Sequence, residues 1–390
     1  MMTREDIREL ASFQAKSEAC AITFYFQPRT PQNRAHKEDA IVAKDLVKRA
    51  LQEAEKQGKN GCARADLDRI LDLAGSLRGN QAKAKAIFAS SANKIWREFD
   101  LPARLPETQL FVNRRFYLKP LAGLFGAHPS LAVALVDRQR GRFFDLRLDE
   151  LNERDGLFRK LPRKRSDGYA GYDGGHTERH VQNEAMQHFK AVAERLKEDL
   201  ERGTHQNLVI GCHDTGWSEF ESYLHPSVKQ RLLGHFPCDV GSATPDEIRE
   251  HAGRILREWQ ESRRRHLVAE TLSMARGNAR GVTGLRRVLR ALQMGEVQTL
   301  LLGDDYSARA VECTACGQID SHLVPFCALC GRATRELEDV CEAMIPVAIK
   351  RDIELFYVKD DPEFDKVGNI AAMLRFRADR GKAPQMAVAS

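Results

Sequence analysis

Two Cys-x-x-Cys-Gly turns, Cys313-Thr-Ala-Cys316-Gly and Cys327-Ala-Leu-Cys330-Gly, stand ten residues apart and constrain the fold of this chain more than any other feature. A tetrahedral ion takes four soft thiolates at about 2.3 Å, and a two-residue spacer lets one tight turn supply two of them. Residues 311–333 are therefore expected to form a zinc ribbon, with Cys313, Cys316, Cys327 and Cys330 as ligands. Four protein thiolates leave the ion no open position, so the Zn²⁺ is expected to be structural. A redox disulfide pair is the other reading of the same spacing, and His322, between the turns, reads as a loop residue. The remaining five of the nine cysteines are scattered singly, which argues against a secreted disulfide framework and for a reducing compartment.

The 390 residues are long for a single core. Strand and helix patterns alternate along the chain, which predicts an α/β (α+β) class. An N-terminal α/β domain is expected over 1–125, a middle α/β domain over 126–277 and a C-terminal α/β domain over 278–390, the ribbon being an insert in the last. In the first, "CAITFYFQP" reads as a strand, and helical patterns are expected over about 37–61, 64–77 and 82–98. Phe24, Tyr25, Phe26, Trp96 and Phe116 read as core aromatics. In the middle domain, two β-rich runs flank the polar turn "DRQRG", a hairpin signal. A helix over about 177–201 follows, then a strand at 206–212, a helix at 217–233 and a strand in "HFPCDV". Thr244-Pro245-Asp246-Glu247 places a capping residue, a proline and a glutamate where a helix start wants them, opening a helix to about 275. Beyond the glycine-rich stretch 276–284, a helix is expected over 285–294 and another over 336–350, with strands at "VQTLLL", "DIELFYV" and 369–376.

The net charge is +6 and the pI about 8.8. The excess is informative where it clusters. In "RKLPRKR" (159–165) five of seven residues are basic, and the run leads into "GYDGGHTER" (171–179), where two glycines meet the expected helix start. Such a run attracts phosphates without base specificity, and nearby tyrosines can stack on unpaired bases. Arg159, Lys160, Arg163, Lys164, Arg165, Tyr169 and Tyr172 are the RNA-binding candidates; a solvated loop is the alternative. Arg263–Arg265 and the set Arg276, Arg280, Arg286, Arg287 and Arg290 add further basic patches. Charges fill "MMTREDIREL" where a signal peptide needs apolar residues, and no run of about 18 apolar residues occurs. A cytoplasmic protein without membrane contact is expected.

In this order the parts resemble the archaeal and eukaryotic class-1 peptide release factor and Pelota family, in its divergent bacterial branch, and within that the Balon-like hibernation factors. The resemblance rests on "GYDGGHTERHVQNEAMQHFKAVAERL", on "GVTGLRRVLRALQMGEVQTLLL" and on "GNIAAMLRF", with a Cys-rich insert between the last two, and spans roughly 128–376. It implies a three-domain architecture, with the N-terminal domain on the decoding-centre side and Gly174, Gly175 and His176 at the peptidyl-transferase centre. Where the family carries Gly-Gly-Gln, this chain has His176, and it has no Asn-Ile-Lys-Ser motif of the kind that reads stop codons. The resemblance thus implies a stress-response translation factor that occupies the A site of idle or stalled 70S ribosomes, contacts rRNA and performs no chemistry. Elongation factor Tu and a P-site tRNA are candidate partners; no small-molecule substrate is expected.

Two other readings stand beside this one. His176 as general base would make the chain a rescue or release factor that hydrolyses peptidyl-tRNA, since an imidazole titrates near neutral pH. The ribbon and basic patches also suit a zinc-ribbon regulator that binds nucleic acid. Cys212-His213-Asp214 contains the residue types of a cysteine hydrolase, but neighbours at a strand end point to opposite sides, so a core or turn role is expected.

Overall fold

The apolar run Ala21–Phe26 (β1) is buried on both faces, and its period-two alternation splits its side chains between two cores. Ile22, Phe24 and Phe26 face one cluster; Tyr25 faces the other. The computed structural model describes residues 2–15, 19–27, 36–56, 60–76, 84–101, 107–122, 130–147, 150–161, 174–203 and 205–377. Their architecture is mixed α/β, with four sheets. They group into two units, Met1–Gly126 with His266–Ser390, and Ala127–Arg265.

In the first unit, helix α1 (Arg4–Ser12) precedes β1, and helices α2 (His36–Lys56) and α3 (Asn60–Ser76) pack Ala43, Val47, Leu67 and Ile70 against Phe24 and Phe26. Strands β2 (Ala84–Ser90), β3 (Ile95–Leu101) and β4 (Gln109–Asn113) complete a sheet of order β3-β2-β1-β4. The helix expected over 82–98 is thus a hairpin. Its alanines and lysines suit a helix, but Phe88 and Ile87 are drawn to opposite cores by pairing with β1, and Lys94 at φ 56° turns the chain. Of the expected core aromatics, Phe24, Tyr25, Phe26 and Phe116 are buried, while Trp96 is half-buried under the Arg69 guanidinium. A helical turn at 119–122 (α4) ends the segment.

The second unit holds a five-stranded sheet of order β7-β6-β5-β8-β9. The expected hairpin is β5 (Leu131–Val136) and β6 (Arg140–Arg147), antiparallel. An unexpected edge strand β7 (Glu150–Phe158) pairs with β6, and β8 (Asn207–Cys212) lies parallel to β5. Helix α5 (Gly174–Glu201) buries Ala185, Phe189, Val192, Leu196 and Leu200. The helix expected at 217–233 is two short ones, α6 (Asp214–Glu221) and α7 (Pro226–Lys229), because Pro226 starts a new helix capped by His225; the strand β9 (Leu232–Phe236) then ends where "HFPCDV" was expected to begin one. Helix α8 (Pro245–Arg276) starts as expected, Thr244 N–H bonding Glu247 Oε2 at 2.9 Å.

The first unit resumes at His266, within α8. Strand β10 (Gly281–Thr283), helix α9 (Leu285–Met294) and strand β11 (Val297–Gly303) lead into β12 (Ala310–Cys313), β13 (Ile319–Asp320) and β14 (Thr334–Leu337), a small sheet of order β13-β12-β14. Helix α10 (Cys341–Lys350), strand β15 (Glu354–Val358), helix α11 (Pro362–Asp365) and strand β16 (Ile370–Leu374) follow; β10, β16, β11 and β15 form the fourth sheet. The helix expected over 336–350 is β14 plus the shorter α10, since β12 recruits 334–337 as a strand and Asp339 Oδ1 accepts from Cys341 N–H at 3.0 Å to start the helix. The segments expected as first and third domains share one apolar cluster, from Leu10, Phe88 and Phe116 to Leu292, Met344 and Leu374. No helix among the described residues is long and apolar enough to cross a membrane.

Candidate metal centre and the glycine-bearing helix

The two cysteine turns are built alike. Gly317 N–H bonds Cys313 O at 3.2 Å, as Gly331 N–H bonds Cys327 O at 2.9 Å; Cys313 N–H bonds Gln318 O and Cys327 N–H bonds Arg332 O, both at 2.8 Å. Each turn closes on a glycine in the left-handed region, Gly317 at φ 73° and Gly331 at φ 69°, where a side chain would be strained. Within each turn a main-chain N–H points at the first sulfur: Ala315 at Cys313 Sγ and Leu329 at Cys327 Sγ, both 3.4 Å. The N–H groups of Cys316 and Ala315 draw the Cys313 thiol down to about 6, while burial and hydrogen bonds within the sulfur cluster push the Cys316 thiol up.

The four sulfurs lie within 4.8 Å of one another, with Cys313–Cys330 at 3.4 Å, Cys316–Cys330 at 3.6 Å and Cys316–Cys327 at 3.7 Å. A tetrahedron with ion–sulfur bonds of about 2.3 Å has edges of about 3.8 Å, so the donor set fits one tetrahedral ion. His322 is not part of the cluster; its Nδ1 sits 3.0 Å from Asp320 Oδ1.

The base of this insert is fixed by Glu312, which sequence reasoning missed. Its carboxylate, 3% exposed, is bonded by Arg115 at 2.9 and 2.5 Å and by Arg335 at 3.1 and 2.8 Å. Burial opposes its charge, but the guanidinium groups of Arg115 and Arg335 outweigh that and hold the carboxyl below the usual carboxylate range. Nothing local marks this residue, since its partner Arg115 lies 197 positions away in the chain.

In the second unit, α5 begins at Gly174, three residues before its expected start, so Gly174, Gly175 and His176 form its first turn. Glycine weakens a helix interior by about 1 kcal/mol, but first-turn N–H groups have no intrahelical acceptor in any case, so the penalty falls where the helix loses least. Arg159 pairs with Glu184 of α5 at 3.5 Å, and Lys160 beside it is exposed. Arg163, Lys164, Arg165, Tyr169 and Tyr172 lie outside the described residues. The far end of α5 is anchored by the buried carboxylate of Asp199, bonded by Arg154 of β7 at 3.0 Å and by Arg195 at 3.2 Å. In Cys212-His213-Asp214, His213 Nδ1 accepts from Thr215 N–H to cap α6, and burial pushes the Cys212 thiol up to about 11. Cys212 is a core residue and His213 caps a helix.

Residues 117–257, which include the glycine pair and all of α5, match a family model described as bacterial archaeo-eukaryotic release factor family 10. The peptide chain release factor subunit 1 of Pyrococcus abyssi is 24% identical over 294 residues, 68% of this chain and 70% of that protein. That of Archaeoglobus fulgidus is 25% identical over 304 residues, 72% and 74% of the two chains. Among solved structures, Archaeoglobus fulgidus Pelota is 12% identical with a TM-score of 0.33, over 96% of this chain and 93% of that one. Archaeal Pelota in its ribosome-bound form is 14% identical with a TM-score of 0.41, over 96% and 94%. Over about two thirds of its length the chain is similar to archaeal peptide chain release factors. Glu312→Gln leaves the Arg115 guanidinium uncompensated and Arg335 with only Glu342, 3.4 Å away, and should destabilise the first unit by about 3 kcal/mol or more; an unchanged urea midpoint would count against the role given to Glu312.

Proposed function

We propose that this chain is a ribosome-binding translation factor of the cytoplasm that occupies the A site of idle or stalled ribosomes, as a hibernation factor does. The observation that carries the reading is the place of Gly174, Gly175 and His176 in the first turn of a 28-residue helix. At 1.5 Å per residue such a helix is about 42 Å long, and glycines at its tip keep that end narrow enough for an RNA-walled cavity. The basic run from Arg159 to Arg165 would follow the phosphates on the way in, with Tyr169 and Tyr172 able to stack on bases. Residues 171–179 then reach toward the peptidyl-transferase centre. The match of 117–257 to a release factor family supports this assignment of the helix tip.

No chemistry is assigned to the tip. His176 stands where the family resemblance expects glutamine, and an imidazole presents a different shape and different polar atoms to a cavity of fixed geometry. The factor blocks the A site by shape and charge. Elongation factor Tu and a P-site tRNA are its proposed neighbours there, by the same resemblance.

Co-sedimentation with 70S ribosomes tests this. Binding should fall steeply between low and moderate salt, and Arg163→Ala, Lys164→Ala and Arg165→Ala together should weaken it about tenfold or more. Absence of binding at low salt, with elongation factor Tu present, contradicts the proposal. Release of peptide from a stalled complex that His176→Ala abolishes would replace it with the hydrolase reading.

The ion proposed for the cysteine centre is Zn²⁺. Cys313, Cys316, Cys327 and Cys330 would hold it, and when bound it supplies a structural cross-link without an open coordination position. Purified protein should carry about one zinc per chain, and Cys316→Ser should lose most of it along with thermal stability. Protein folded and stable after exhaustive chelation, with no zinc by elemental analysis, would sink this assignment.

A further inference from the structure

Helix α9 separates two concavities of the first unit, one of about 360 Å³ and one of about 400 Å³. Arg287 and Arg290 line both, and Arg286 lines the second, which Gln293, Gln318 and His322 help to wall. All three arginines are exposed, and among the described residues Arg287 and Arg290 make no ion pair. Two other exposed arginines of the first unit are paired: Arg276 holds Glu363 at 2.7 Å and Arg309 holds Glu336 at 2.6 Å. Two carboxylates line the concavities. Asp320 is shared by His322 and Arg286, and Glu296 lies in the other concavity with a partner of its own. The first turn of α9 carries Arg286 and Arg287 and no acidic residue, the reverse of what a helix's own field favours.

The ridge is also rigid. Gln293 Nε2 bonds Ile319 O at 2.6 Å and Gln318 Nε2 bonds Gln293 Oε1 at 2.7 Å, which braces α9 against the cysteine insert. The apolar residues Val288, Leu289, Ala291 and Leu292 are buried, leaving Met294 as the one large apolar side chain that α9 exposes. A protein partner would want an apolar or aromatic centre to its interface. Uncompensated guanidinium groups among amides and an imidazole are instead what phosphate oxygens take.

We propose that Arg286, Arg287 and Arg290 form a second nucleic-acid surface of this chain, which grips the phosphate backbone of structured RNA across the two concavities. It is separate from the basic run at 159–165 and does not depend on where that run docks. The arginines fix the position of the RNA without reading its sequence, since nothing in the ridge is arranged for base edges. The cysteine insert, through Gln318 and His322, supplies one wall.

The test is fluorescence anisotropy of a labelled hairpin RNA with the full chain over a potassium chloride series, with poly-L-glutamate as the competing acidic polymer. Arg286→Gln, Arg287→Gln and Arg290→Gln together touch only exposed side chains, so circular dichroism and the thermal midpoint should be unchanged. The variant should lose about tenfold or more in RNA affinity at low salt, and its slope of log affinity on log salt should be shallower by about 2 to 3. Wild-type affinity and slope in the variant overturn the proposal. Poly-L-glutamate displacing the RNA at equal charge concentration also overturns it, in favour of an acidic protein partner. Because the ligand is free RNA, a failure here is distinct from a failure to bind ribosomes.

Discussion

The buried carboxylate of Glu312, gripped by Arg115 and Arg335, is the contact on which the first unit depends. It lies next to Cys313 at the end of β12, so whatever holds Glu312 also sets the direction in which the cysteine turns leave the sheet. Arg115 comes from the N-terminal segment and Arg335 from β14. Tyr117 bonds Asp339 at 2.7 Å and Lys119 bonds Tyr306 O at 2.7 Å, so a band of polar contacts runs along the seam between chain segments far apart in sequence. Beside it lies the shared apolar cluster. Charge in a buried seam is tolerable only when every partner is present, and here the partners arrive from three stretches of chain. That makes the metal insert an extension of a fixed platform.

The second unit solves a related problem with the same chemistry. Helix α5 has to present its first turn at a defined place, and helices of this length bend and roll unless one face is held. Phe189, Val192 and Leu196 hold it by apolar packing, and Asp199, bonded to Arg154 and Arg195, fixes its roll near the far end. The end that carries Gly174, Gly175 and His176 is remote from that anchor.

What could be read from the sequence was what local chemistry determines. The cysteine turns were legible because ligand type and two-residue spacing are enough to define a knuckle. The start of α8 was legible because Thr244 and Glu247 cap it within one turn, and the β5–β6 hairpin because its turn residues lie between two β-rich runs. Features set by distant partners were not legible. Strand β2 has helix-forming alanines and a lysine and became a strand through pairing with β1 on one side and β3 on the other. The edge strand β7 offers mostly polar residues with no clean alternation. Glu312 and Asp199 carry no local mark of their burial, because Arg115 and Arg154, which bond them, lie far away in the chain. At the glycine pair, propensity alone placed the helix start too late, since it does not account for the leniency of a first turn.

The central claim is that this chain fills the ribosomal A site, and competition with tRNA tests it most directly. Vacant 70S ribosomes programmed with a short message would be loaded with labelled A-site tRNA and titrated with the full chain. The account predicts stoichiometric displacement of the label, with mutually exclusive occupancy. Simultaneous binding of the chain and A-site tRNA to one ribosome would contradict it.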